Sequence, residues 1–269
     1  MKSFTQEDMK TKLTTRNVAL VAIFAALYYI LSLITPYIPA IGIPQITISL
    51  EALIASIFGL VLGPYLGAVT ALLGAFIAWA VPPFGSMSPY GLPFLLSPPI
   101  NALVTGLIFY KKWKGGFLLF SLLIVAFLFT PPVQPISENF IVAIAVLFDK
   151  IIALLLILPC VKFAKQLSAG KGVTLFYFLL AFIGNQADNM WGSFAFATPV
   201  VYGGIFQMPL DAVRVGFLVS PFAYPAIRLI QAFIAMLIAV PLMKTLKGTP
   251  WLWQKETILS PNQKKQPES

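Results

Sequence analysis

Between Asn17 and Leu246 nearly every residue belongs to an apolar run, and the runs are interrupted by uncharged Pro/Gly clusters, by short clusters of lysine and by an outer loop, Tyr202 to Gly216, that carries Asp211 and Arg214. A hydrocarbon core of about 30 Å is crossed by about 20 residues of α-helix, and a backbone inside lipid must satisfy its own hydrogen bonds. The runs therefore read as membrane helices. Eight are expected, at about 17–35, 47–62, 64–81, 91–110, 117–129, 137–162, 173–201 and 217–243. Together they form an all-α polytopic bundle, a single integral membrane domain over 17–246 with cytoplasmic tails at 1–16 and 247–269. Runs two and five are short, so six full spans with re-entrant pieces is the alternative. The first run is expected to stay as a span rather than be cleaved as a signal, since no small-x-small site follows it.

Charge sets the orientation. Of the 18 Lys and Arg residues, all but Lys150, Arg214 and Arg228 fall in the N-terminal tail, the 111–114 loop, the 162–171 loop or the C-terminal tail. An eight-span chain puts those four regions on one side, and basic loops mark the cytoplasm. Both termini are expected inside a multi-pass protein of the cell membrane. The net charge of +9 is thereby explained without nucleic acid.

Several function classes drop out. No P-loop or dinucleotide glycine motif occurs, and the apolar runs leave no room for a soluble nucleotide-binding domain. With one cysteine and no histidine, disulfide frameworks and the usual zinc, haem and Ser-His sites are missing. No catalytic residue, metal or cofactor is expected. An intramembrane enzyme is a poor fit, because Asp149 and Asp188 stand alone on separate runs.

The seventh run carries the chemistry. Gly184-Asn185-Gln186-Ala187-Asp188-Asn189-Met190-Trp191 is a polar octet within apolar sequence, and Asn185, Asp188 and Asn189 at i, i+3 and i+4 share one helical face. Even lenient insertion scales set about 2.5–3.5 kcal/mol against one Asp at mid-bilayer, so that face must look into protein or a cavity. Counted along the runs at 1.5 Å per residue, Asp149, Asn185, Asp188, Arg228 and Gln231 each lie about 15–23 Å from a span end and can meet near the midplane. The acids Asp149 and Asp188 balance the bases Lys150 and Arg228. Two structural ion pairs would balance equally well. Asn189, Trp191, Tyr224 and Gln231 add directional donors, acceptors and a stacking face, which suits a pocket for a small polar or aromatic solute. Glu51, near the outer end of run two, is a weaker candidate.

Small residues recur at packing intervals in Ala55, Gly59, Gly63, Gly67, Ala71 and Ala75, and again in Ala22 and Ala26 of the first run. The basic lead-in, Ala22-Ile-Phe-Ala-Ala26, the Pro-rich loop after it, and the stretch from Ala55 through Gly63-Pro64 to Gly67 resemble the S components of energy-coupling factor (ECF) vitamin transporters. The stretch Pro225 to Gln231, with Pro241-Leu242, resembles their last helix. The resemblance implies a high-affinity receptor for a vitamin-like solute, bound from outside through the later helices and capped by the first outer loop. It also implies partners: a transmembrane coupling subunit docking on Ala22 and Ala26, driven by paired ATPase subunits, with membrane lipid around them. That family usually has six spans, so two here are extra, and Phe117–Phe163 is where the extra pair is expected. The rival reading is an ion-coupled secondary transporter using midplane carboxylates.

Overall fold

The computed structural model describes residues 14–34, 38–40, 43–48, 53–82, 87–167, 170, 172–249, 251–252 and 257. Helix α1 (Thr15–Ile34) is followed by a hairpin of β1 (Ile38–Ala40) and β2 (Ile43–Ile48), then α2 (Ile54–Leu62), α3 (Pro64–Ala80) and α4 (Ser97–Phe109). The second half contains α5 (Trp113–Leu128), α6 (Ile136–Lys162), the short α7 (Ala164–Leu167), α8 (Gly172–Phe196), α9 (Leu210–Val219) and α10 (Tyr224–Leu246). Glu51 lies outside the described residues.

The fold is helical, and it is turned outward in the manner of a membrane protein. Large apolar side chains such as Ile23, Leu118, Phe129, Ile152 and Phe233 are exposed, whereas Asn101, Asn185, Gln186 and Gln231 are fully buried at 0%. In water that distribution would be unfavourable; in lipid the solvent is the apolar phase and buried polar groups pair with one another. Among the described residues, four segments are long and apolar enough to cross a membrane: Thr15–Ile34, Leu92–Phe109, Ile136–Lys162 and Tyr224–Leu246. The 25-residue α8 is long enough, about 38 Å at 1.5 Å per residue, but the octet dilutes its apolar character.

Two of the expected boundaries are wrong. Run two does not begin as a helix at 47, because Ile43–Ile48 pairs antiparallel with β1, Ile38 opposite Ile48 and Pro39 opposite Thr47. The β-branched residues Ile43, Ile46, Thr47 and Ile48, with prolines at 39 and 44, favour extended backbone over helix. The remaining nine-residue α2 rises about 14 Å, and every residue of it is buried, so it is an internal element of the bundle.

Run eight likewise does not start at 217. Helix α9 occupies part of the expected outer loop, a 3₁₀ turn follows at Ser220–Phe222, and α10 begins only at Tyr224. The helical path breaks at Ala223 (φ −126°, ψ −48°), and Pro225 sits in the first turn of α10, where its fixed φ suits a helix start. Arg214 holds α9 in place. Its Nη1 meets Asp211 Oδ1 at 3.2 Å, while Nε and Nη2 donate to the carbonyls of Pro132 and Gln134 at 3.3 and 3.1 Å.

Small residues set the distances in the first half. A Cβ on Gly59 would strike the carbonyl oxygen of Ala102, so glycine is what lets α2 lie directly on α4. Tyr110, at the end of α4, donates to the Leu60 carbonyl at 2.7 Å and keeps those two ends level. At the opposite face, Tyr29 donates to the Pro82 carbonyl at 2.6 Å and ties the end of α1 to the end of α3.

Candidate functional site

Helix α8 lies centrally against α4, α6 and α10, and the octet sends a different polar side chain to each. Toward α4, Gly184 removes the obstacle: a Cβ there would strike Asn101 Oδ1 and Thr105 Oγ1. In the space left, Asn101 Nδ2 donates to Asn185 Oδ1 at 2.8 Å, and Asn101 Oδ1 accepts from Ser56 Oγ at 2.8 Å and Thr105 Oγ1 at 3.3 Å. Three helices, α2, α4 and α8, are joined through one amide.

Toward α10, Asp188 Oδ1 lies 3.4 Å from Arg228 Nη2, and Arg228 Nη1 donates to Gln231 Oε1 at 2.9 Å, one turn along the same helix. Since α10 starts at Tyr224, Arg228 and Gln231 lie only one and two turns into it, and Asp188 is about 12 Å from the end of α8 at Phe196. The depth count from sequence placed Arg228 and Gln231 too deep, because it assumed an earlier helix start.

Toward α6, Gln186 Nε2 donates to Asp149 Oδ2 at 3.1 Å, and Lys150 Nζ sits 3.0 Å from Asp149 Oδ1. Asp149 and Lys150 are thus one ion pair, and Asp188 and Arg228 another. Of the remaining candidates, Trp191 is half-buried, its Nε1 donating to the Pro93 carbonyl at 2.9 Å, with Phe194 at 5.8 Å centroid to centroid. Tyr224 is half-buried one turn above Arg228. Beyond them Phe206 gathers Tyr90, Phe94 and Phe196 at 5.0, 6.4 and 5.3 Å.

The buried polar side-chain atoms without a hydrogen-bond partner among the described protein groups include these four: Asn185 Nδ2, Asn189 Nδ2, Arg228 Nε and Gln186 Oε1. One such atom carries a penalty of about 1–3 kcal/mol, and three of the four come from five consecutive residues of α8. Three donors and an acceptor of this kind have the chemistry to pair with a solute that offers carbonyl or ring-nitrogen acceptors and an N–H or hydroxyl. Among the described residues no cluster of three or more metal-ligating acids or thiols occurs.

Ser56, Asn101, Thr105, Gln186 and Lys150 belong to these networks without having been named as site residues from sequence. Asn101 carried a readable signal, an amide within an apolar run. Ser56 reads as one more small packing residue, and Gln186 is one position off the Asn185/Asp188/Asn189 face. Ala22 and Ala26 are both exposed on α1, on a face beside that of the buried Ala25, Tyr28 and Ser32.

Searches of curated proteins and of solved structures give no match. One family model, described as ECF-type riboflavin transporter, S component, matches residues 12–170. The matched segment runs from α1 through α7, and the octet helix and α10 lie beyond it. Because the match spans more than half of the chain, and the helices are apolar outside and polar within, this protein belongs to the family of ECF-type riboflavin transporter S components, membrane substrate-binding subunits of vitamin uptake rather than enzymes.

Proposed function

We propose that the chain captures riboflavin, or a close flavin relative, between α4, α8 and α10, and hands it across the membrane when a transmembrane coupling subunit and its ATPase subunits supply the energy. The observation that carries this reading is the concentration of unpartnered buried polar atoms on the octet helix and at Arg228. The isoalloxazine ring of a flavin is flat and has two carbonyls, ring nitrogens and an imide N–H along one edge, with a hydroxylated chain on the other side. Asn185, Asn189 and Arg228 donate to such an edge, Gln186 accepts from it, and Trp191 and Tyr224 supply the stacking faces. Asp188 fixes Arg228 against it, and Gln231 does so from below. Asp149 acts at one remove, by orienting Gln186.

Flavin fluorescence tests the reading directly. The isolated chain in detergent is expected to quench added riboflavin to a stoichiometric end point. No quenching, together with a different small molecule retained through purification, would overturn the flavin assignment while leaving the S-component role intact.

In the same reading the chain passes between the two membrane faces eight times, the short buried α2 forming part of one pass inside the bundle, with α5 and α6 as the pair beyond six, and residues 1–16 and 247–269 form cytoplasmic tails around one membrane domain. The lysine clusters support this orientation. After replacement of the buried Cys160, single cysteines at the exposed positions Ser137 and Gly204 should react with an impermeant thiol reagent applied outside the cell, and one at Gly115 should not. Outside labelling at 115 would reverse the map.

A further inference from the structure

At the end of the bundle carrying the lysine-rich turns, a cleft opens between the α4–α5 turn and the α6–α7 turn. It is lined by Lys111, Trp113, Val161, Lys162, Ala164, Lys165 and Gln166, with no Asp or Glu among these residues. We propose that this cleft holds the phosphate headgroup of an anionic phospholipid.

Charge is the first reason. Lys111, Lys162 and Lys165 line one cleft, and Lys112 and Lys114 stand on the same turn. Basic clefts between spans at a membrane face attract anionic headgroups. The second reason is the backbone: Trp113 is the first residue of the 16-residue α5, so the positive end of that helix opens into the cleft. Depth is the third. The long segments Leu92–Phe109 and Ile136–Lys162 both end here, which is the headgroup level, and Lys162 Nζ lies 5.4 Å from the Phe163 ring centroid while Lys112 Nζ lies 5.1 Å from that of Tyr65. Such lysines rest their stems on apolar surface and hold their charge at the interface. Val161, Ala164 and the Trp113 indole form an apolar wall that suits a glycerol backbone and upper acyl chain better than a free anion.

Native mass spectrometry of the full chain in detergent, titrated with phosphatidylglycerol or phosphatidylcholine, tests this. The wild-type protein is expected to retain phosphatidylglycerol at roughly tenfold lower lipid concentration. Removing two lysine charges in K162Q/K165Q should weaken that retention roughly thirtyfold, and K162R/K165R should keep it. Both residues are exposed, so the melting temperature and flavin quenching should not change. Equal retention of the two lipids by the wild-type protein would overturn the proposal, as would an undiminished preference in K162Q/K165Q. Displacement by inorganic phosphate as readily as by lipid would assign the cleft to a soluble anion. Loss of coupling-subunit association in K162Q/K165Q with lipid retention unchanged would assign it to a protein partner instead.

Discussion

Asp188→Asn is expected to weaken substrate binding by about 2–4 kcal/mol, roughly thirty- to thousand-fold, while the protein stays folded. Asp188 Oδ1 lies 3.4 Å from Arg228 Nη2 in a site where both side chains are buried. Asparagine keeps the size and an acceptor oxygen but removes the charge, so the guanidinium turns on a weaker partner in a low-dielectric setting. The fold has reserves against this loss, because Arg228 still donates to Gln231 and the α4–α8 contact through Asn101 and Asn185 does not involve Asp188. A pair that served only stability would behave in the opposite order. The variant would then melt early and the surviving fraction would bind as wild type does. Measuring flavin affinity and melting temperature on the same preparations separates the two, and early melting with normal binding would remove Asp188 from the site.

Ala22→Trp and Ala26→Trp are expected to abolish uptake and association with the coupling subunit while leaving flavin binding by the isolated chain unchanged. Close helix contact between subunits depends on small side chains, and an indole at either position holds a partner helix away. Among the described residues neither alanine is packed over, which leaves room for the indole. Both alanines are exposed together with Val18, Ile23 and Ile30, while a neighbouring face of α1 packs on α3 through Tyr28. Pull-down of the coupling subunit beside fluorescence quenching by the isolated chain reads both halves of the expectation. If the Trp variants still transport, the docking face lies elsewhere. If vesicles containing only this chain accumulate substrate on an ion gradient, the buried Asp149–Lys150 pair becomes the carrier of a secondary transporter.

Membrane residence, the helical class and the family were all legible in the chain itself. Runs of apolar residues leave lipid-immersed backbone little choice but helix, and small-residue spacing such as Ala55 to Gly67 survives in sequence because helical period converts it directly into a packing face. The octet was readable for the same reason: a polar group inside an apolar run has to be placed against protein, wherever that protein is. What pairs with what was not readable. Asn185, Asp188 and Asn189 share a face, yet Asn185 meets Asn101 on α4, Asp188 meets Arg228 on α10, and their neighbour Gln186 meets Asp149 on α6.

Helix period fixes direction around one axis and says nothing about which helix waits in that direction; packing decides that. Gly59 and Gly184, where added Cβ atoms would strike Ala102 and Asn101, bring α2, α4 and α8 close enough for one asparagine to link them. Local turn chemistry settled the depth of Arg228. The break at Ala223 and Pro225 in the following turn set the start of α10 at Tyr224, so the guanidinium lies one turn from the helix end rather than at mid-span. Composition and period therefore determined what kind of protein this is and which helix carries its polar groups. The partners of those groups, and the unpartnered donors they leave, come only from contacts between residues as far apart in sequence as Ser56, Asn101, Asn185 and Arg228, which hydrophobic pattern along the chain does not encode.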